Sequence, residues 1–314
     1  MQQLQNRMRL NLSRLIAASS TRRLLGAVLL CLLPVNGVRA DLGVVDDSGQ
    51  SVMLQRPATR IVSLAPHITE LLFAAGAGNA VVGVSEHSDY PAAARMLPRV
   101  GSGSGVDLEA VLALRPELVV AWGSGSPPGL LQRLRQLGVP VFVSEPRVMD
   151  DIATSLKRLG RLAGQEAAAG RAVQRFEERL RQLRERHAGR PPVRVFYQVW
   201  QQPLLTINGD HLVSDVIRLC GGVNVFGDLP ELAPQVSVES VLQRDPQVII
   251  AGGDAPDARS LDDWWRRWNG ISAVQGGHLY TIPQELLERH TPRILDGAGL
   301  MCERLESARQ AIAE

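Results

Sequence analysis

Val106-Asp107-Leu108-Glu109-Ala110-Val111-Leu112, followed by Pro116-Glu117-Leu118-Val119-Val120-Ala121, is answered later in the chain by Val236-Ser237-Val238-Glu239-Ser240-Val241-Leu242 and Pro246-Gln247-Val248-Ile249-Ile250-Ala251. The offset is 130 residues throughout, with no gap. Each copy reads as a capping residue (Asp107 or Ser237), a short helix, a proline that stops it, and an apolar run suited to a buried strand. A second pair lies at an offset of 145: Thr69-Glu70-Leu71-Leu72 with Gly76 and Asn79, and Ser214-Asp215-Val216-Ile217 with Gly221 and Asn224. Two matches in the same order predict two lobes of one design.

Working outward, residues 58–66 read as a strand entering a turn, 69–75 as a helix ended by Gly76, and 81–84 and 118–122 as short buried strands. A helix over 129–137 and a strand over 140–143 follow. Helices alternating with short apolar strands predict parallel α/β units, so the fold class is α/β with two Rossmann-like lobes. The rhythm breaks at 149–188. A helix over 149–162 has apolar residues at 152, 156, 159 and 162, and Gly164 interrupts it. A second helix, 166–187, repeats Ala169, Val173, Phe176, Leu180 and Leu183 at spacings of three or four. Its roughly 30 Å length, at 1.5 Å per residue, is enough to run alongside both lobes. The expected organisation is a signal peptide at 1–40, an N-terminal lobe at 41–165, a linking helix at 166–189 and a C-terminal lobe at 190–314.

The first forty of the 314 residues hold six arginines (Arg7, Arg9, Arg14, Arg22, Arg23, Arg39) and no acidic residue. An apolar run over 24–35 follows and closes with Val38-Arg39-Ala40, which predicts cleavage after Ala40 and export to the periplasm. The run is short for a membrane anchor, which needs roughly 20 residues. Cys31 follows Leu30 where a lipobox takes a small residue, and Thr21-Arg22-Arg23-Leu24-Leu25 faintly resembles a twin-arginine signal; Sec export is the simpler reading. Loss of six positive charges turns a formal +2 into −4, so the precursor's basicity is no argument for nucleic-acid binding. Cys220 and Cys302 remain, an even number that suggests one disulfide in an oxidising compartment, with two buried thiols as the alternative.

Two α/β lobes on a stiff helix leave a cleft between them, and ligand sites favour domain interfaces and the carboxyl ends of parallel strands. The segments expected there are Pro66-His67, 86–90, 102–105, 122–125, 198–200 and 284–293. His67, His87 and His290 invite a metal reading, but a bare ion needs three or four converging ligands, and a haem needs an axial donor such as His87. Trp264, Trp265 and Trp268, at 0, +1 and +4 on a helix, read as packing, and Asp46-Asp47 and Asp262-Asp263 as solvated turn residues. No Gly-x-Ser-x-Gly elbow, Walker A loop or Gly-x-Gly-x-x-Gly fingerprint occurs, so an enzyme is not expected.

From Arg60 to Ala308 the chain resembles the cobalamin-binding periplasmic component of vitamin ABC importers, a branch of the helical-backbone (class III) solute-binding proteins that also serve haem and ferric siderophores. The resemblance rests on Ile61-Val62-Ser63-Leu64-Ala65-Pro66-His67-Ile68-Thr69-Glu70, Ser88-Asp89-Tyr90-Pro91, Leu219-Cys220-Gly221-Gly222-Val223-Asn224-Val225-Phe226, Pro234-Gln235-Val236-Ser237 and Glu288-Arg289-His290-Thr291-Pro292-Arg293-Ile294. It implies a Cys220–Cys302 disulfide, docking of Glu109 and Glu239, one per lobe, onto a membrane permease, and ligand packing by Trp122. His87 falls where the family has a tyrosine, and Glu285, Leu286, Leu287, Glu288 and Arg289 fall on a ligand-contacting loop. Gly103 and Ala233 stand at family tryptophans and Leu286 and Leu287 replace aromatics, with Trp200 placed to compensate in part. The expected function is capture of cobalamin or a related corrinoid by a monomer, with Tyr90, Trp122 and Trp200 packing on it and His87, Arg289 and Arg293 reaching its polar edges. No cofactor or metal is expected beyond the cargo. A haem or ferric-siderophore receptor of the same fold is the runner-up, and a chelatase-like enzyme the remaining class.

Overall fold

The computed structural model describes residues 42–102, 105–253 and 261–313. The expectations for the signal segment, for Cys31 and for Gly103 lie outside these residues. The described residues begin with an antiparallel hairpin, β1 (Leu42–Val45) and β2 (Ser51–Leu54). Its turn corrects the reading of Asp46-Asp47 as solvated. Asp46 is buried, and its carboxylate accepts hydrogen bonds from the Ser48, Gln50 and Val143 amides, while Asp47 accepts from the Glu145 amide. The pair ties the hairpin to the first lobe.

The first lobe holds a four-stranded parallel sheet of β3 (Ile61–Ser63), β4 (Val81–Val84), β7 (Leu118–Trp122) and β8 (Val141–Ser144), in the order β4-β3-β7-β8. A two-strand hairpin, β5 (Gly101–Ser102) and β6 (Gly105–Val106), precedes β7. The helices of the lobe are α1 (Pro66–Ala74), α2 (Leu108–Ala113) and α3 (Leu130–Gln136). Helix α1 begins three residues earlier than the periodicity indicates, because Pro66 sits in the first turn, where its missing N–H costs nothing.

The second lobe repeats the design. Its sheet is β9 (Val193–Gln198), β10 (Gly222–Asn224), β11 (Val248–Gly252) and β12 (Leu279–Ile282), all parallel, in the order β10-β9-β11-β12. Strand for strand this is the order of the first sheet. The 130-residue repeat falls on β7 and β11 and on the helix before each, α2 and its counterpart α7 (Val238–Arg244). Asp107 caps the first by accepting from the Ala110 amide, and Ser237 caps the second by accepting from the Ser240 amide. The 145-residue repeat falls on α1 and α6 (Leu212–Leu219).

Helices α4 (Met149–Leu162) and α5 (Glu166–His187), the second of them the long helix expected over 166–187, pack against each other. Two glycines set their approach. Gly164 turns the chain at φ +65°, and a Cβ on Gly160 would stand 2.3 Å from that of Ala169 across the helix pair. Their apolar faces join residues of both sheets into one core that runs from Ile61 and Leu118 through Leu156, Leu159 and Phe176 to Val195, Ile250 and Leu305. The lobes are therefore fixed by a shared core as well as by a covalent link. Val62, Val119 and Ala121 on the other face of the first sheet, and Phe196, Ile249 and Trp265 on that of the second, build separate outer cores. Trp264 and Trp268 pack against the latter, as their spacing predicts.

The short helices α8 (Ser272–Gln275) and α9 (Gln284–Leu287) flank β12, and the chain ends in α10 (Ile294–Ala313). The Cys220–Cys302 disulfide joins the end of α6 to α10 with a Cα–Cα distance of 4.7 Å. No helix among the described residues is long and apolar enough to cross a membrane.

Candidate functional site: the interlobe cleft

A cavity of about 800 Å³ opens between the lobes. One wall comes from the first sheet: Pro66 and His67 follow β3, and Trp122 and Ser124 follow or end β7. In an order such as β4-β3-β7-β8 the crevice between β3 and β7 is the topological switch point, where connections leave to opposite faces of the sheet. The facing wall is Val199 after β9, Ile207, His211, and Leu232 and Ala233. Helix α9 and the turn behind it supply Gln284, Glu285, Glu288, Arg289 and His290. A second cavity of about 410 Å³ shares Val199 and Gln284 with the first and is also lined by Trp200 and Gly252.

Three imidazoles meet at the cleft. His67 enters from the first turn of α1, His211 from the N-cap of α6, and His290 from the turn after α9. The His67 and His290 ring centroids are 5.7 Å apart, and those of His211 and His290 are 5.5 Å apart. The Trp122 ring lies edge-on to His67 at 5.2 Å. The His211 Nδ1 accepts from the Val213 amide, which places its proton on Nε2. Burial pushes the His67 pKa down to about 3, with the nearby Arg289 guanidinium adding to the effect. Burial, then Arg147, holds His211 at about 4. His290 is driven well below its usual range by burial and then by the neighbouring His67 and His211. The cluster is therefore neutral at physiological pH. No group of three or more His, Cys, Asp or Glu among the described residues is arranged to hold a metal ion.

An ionic clasp closes the cleft beside these rings. Glu70 of α1 is buried, with 2% side-chain exposure, and accepts from two arginines of the other lobe, Arg289 at 2.9 Å and Arg293 at 3.3 Å. Arg289 also donates to Asp89 at 2.6 Å and to the His87 carbonyl at 3.3 Å. The hydrogen bond from Arg289 holds the Asp89 carboxyl below the usual range. His87 itself adopts φ 62°, a conformation uncommon outside glycine, which turns its backbone oxygen toward that guanidinium. On the C-terminal side, burial raises the pKa of Glu288, whose carboxylate accepts from the buried Tyr197 hydroxyl at 3.2 Å and from the Gln284 amide at 2.6 Å.

Of the residues singled out in the sequence, the fold brings His87, Trp122, Glu285, Glu288 and Arg289 to the main cavity. Trp200 is 59% exposed and lines the smaller cavity instead, its indole donating to the Gln202 carbonyl. Tyr90 packs its ring under the Arg293 guanidinium at 4.2 Å and does not line the cavity. Leu287 is fully buried in the core against Gly297, and Leu286 is half-buried beside it. On a four-residue helix only one face can meet the cleft, and Glu285 and Glu288 occupy it. Glu70 and His211 were not singled out as site residues. Glu70 carried a signal, an acidic side chain among apolar neighbours at the buried start of a helix. His211 carried none, because its ring partner His290 is 79 residues away. Glu109 and Glu239 do not line the cavity: each is an exposed residue in the first turn of a capped helix, α2 or α7.

Two like lobes on a rigid helical backbone, with a polar-rimmed cleft at the carboxyl ends of both sheets, define a two-lobed solute-binding protein. The chain belongs to the periplasmic binding protein family, whose model matches residues 61–286. It is 40% identical over 255 residues to the vitamin B12-binding protein of Vibrio cholerae, covering 81% of this chain and 91% of that one. The protein of that name from Yersinia pestis is 37% identical over 257 residues, covering 82% and 90%. The crystal structure of the periplasmic vitamin B12 binding protein BtuF of Vibrio cholerae superposes with a TM-score of 0.76 at 40% identity, covering 80% of this chain and 98% of that one. The periplasmic haem-binding protein RhuT of Roseiflexus shares the fold, with a TM-score of 0.70 at 23% identity and coverage of 80% and 98%. These relatives are binding proteins, not enzymes.

Proposed function

We propose that the protein captures cobalamin or a related corrinoid in the interlobe cleft and hands it to an ABC permease of the inner membrane. The reading is carried by one observation: relatives at 36–40% identity over most of the chain are named vitamin B12-binding proteins, and the cleft of this chain opens at the place the fold reserves for cargo. Trp122 supplies the aromatic wall, with Trp200 over the adjoining compartment, and His87, Glu285, Glu288 and Arg289 supply polar contacts at the rim. The half-buried Leu286 and the buried Leu287 support the loop from behind, and Tyr90 does so through Arg293. The core shared by the lobes favours a small closing motion over a wide hinge.

Residues 1–40 serve as a cleaved export signal, and the mature chain acts as a periplasmic monomer. Glu109 and Glu239, exposed at equivalent places of the two lobes, dock on cationic side chains of the permease. The test is calorimetry of the mature chain with cyanocobalamin, dicyanocobinamide, haem and a ferric hydroxamate. Stoichiometric binding of a corrinoid is expected. Binding of neither corrinoid would overturn the reading, and tight haem binding with a Soret shift lost in His87→Ala would replace it with the haem-receptor alternative.

A further inference from the structure

We propose that the cleft selects its cargo by the charge of the cargo's periphery, with His67 and His290 forming a neutral hydrogen-bonding floor that takes carboxamide groups and turns away carboxylates. This rests on the corrinoid reading and names the feature of the ligand that the site recognises.

The first observation is the unmet hydrogen-bonding capacity of the floor. His67 and His290 are each 4% exposed, and both line the cavity. The His67 Nε2 and the His290 Nδ1 are buried with no partner, and neither ring forms a hydrogen bond among the described residues. Those two nitrogens are sealed from the cavity, so cargo meets the other edges of the rings, which line it and form no hydrogen bond among the described residues. A neutral imidazole offers one donor and one acceptor. A primary carboxamide offers both in return, whereas a carboxylate only accepts.

The second observation is the charge balance of the walls. Asp89, Glu285 and Glu288 are the acidic residues of the lining, and Arg289 is its one cationic residue among those described. Arg289 is already committed to Glu70 and Asp89, and Arg293, just behind, to Glu70. Among the described residues, no uncompensated guanidinium or ammonium therefore lines the cavity to neutralise an incoming anion. Like charges brought together in a desolvated site are strongly disfavoured, a common device for rejecting a near-cognate ligand. The downward shifts of the clustered His67, His211 and His290 fit the same picture, because none of these three supplies a positive charge at neutral pH. Macrocycles with neutral amide side chains suit such a cleft, and tetrapyrroles with free carboxylates do not.

The test compares two probes with the same corrin ring and cobalt. Dicyanocobinamide carries amides, and cobyrinic acid carries carboxylates. At pH 7.5 the mature protein is expected to prefer the amide form by about 100-fold or more, the size expected when like charges meet in a desolvated site. In Asp89→Asn/Glu285→Gln the preference should fall at least tenfold, through tighter binding of the acid. Comparing two ligands on one preparation cancels any loss of folded protein. Cobyrinic acid within threefold of cobinamide on the wild-type chain would overturn the inference and leave corrinoid capture standing. An unchanged preference in the double variant would overturn the charge mechanism. Binding of neither probe would remove the corrinoid reading and this inference together.

Discussion

Glu70→Gln is the most informative single change in the molecule. It alters one atom of a side chain that is 2% exposed and removes the anion shared by Arg289 and Arg293, which are themselves 19% and 23% exposed. Removing one partner of a buried ion pair costs about 3–5 kcal/mol, because the other charge stays buried. Arg289 keeps Asp89 at 2.6 Å, and Arg293 keeps the Tyr90 ring, so the lower end of that range, about 3 kcal/mol, is expected. At roughly 2–4 °C per kcal/mol for a chain of this size, the melting temperature should drop by about 6–12 °C. Asp89→Asn is the internal comparison. Its side chain is 53% exposed, and loss of an exposed partner should cost no more than about 1 kcal/mol. The assay is thermal and urea unfolding of the mature chain followed by circular dichroism. Glu70→Gln/Arg289→Met should recover part of the loss, since it takes away one of the two arginine charges that Glu70→Gln leaves without their shared carboxylate. A Glu70→Gln variant no less stable than Asp89→Asn, or a double variant that simply adds the two losses, would refute the claim that a buried clasp joins the lobes.

The disulfide closes a loop with a sequence separation of 82, so Cys220→Ser/Cys302→Ser should lose about 4–5 kcal/mol in guanidinium unfolding; equal midpoints with and without the bond would count against its role. Acid should destabilise the protein through the cleft histidines. They are neutral in the folded state and protonate near 6.5 when unfolded, so the unfolded chain binds more protons below that pH. Stability is complete above about pH 6.5 and falls as the pH drops toward 4, by about 1.4 kcal/mol per unit for each buried ring. His67→Gln should flatten that slope, and an unchanged slope would show that the loss arises elsewhere. Glu109→Lys and Glu239→Lys should abolish corrinoid uptake in cells and leave the affinity of the purified protein unchanged; weakened ligand binding would place these residues in a different role.

The sequence by itself determined the scaffold. Its signals are local: a capping side chain reaches three residues ahead, a proline stops the helix it follows, and apolar spacing of two or four sets which face is buried. For that reason the pair 106–121 and 236–251 foretold β7 and β11 and the capped helices before them, and the spacing of Ile152, Leu156 and Leu159 foretold helix α4. Only the tertiary structure decided which side chains meet in the cleft. Glu70 finds its arginines 219 and 223 residues away, and His67, His211 and His290 come from three different elements. Whether a side chain on the turn after β12 faces cargo or core depends on how α9 lies against α10. Leu287 and Glu288 are adjacent in sequence, yet one is sealed in the core and the other lines the cavity. Local propensity carries no information about such contacts, because their free energy exists only once two distant lobes have been brought together on a common core.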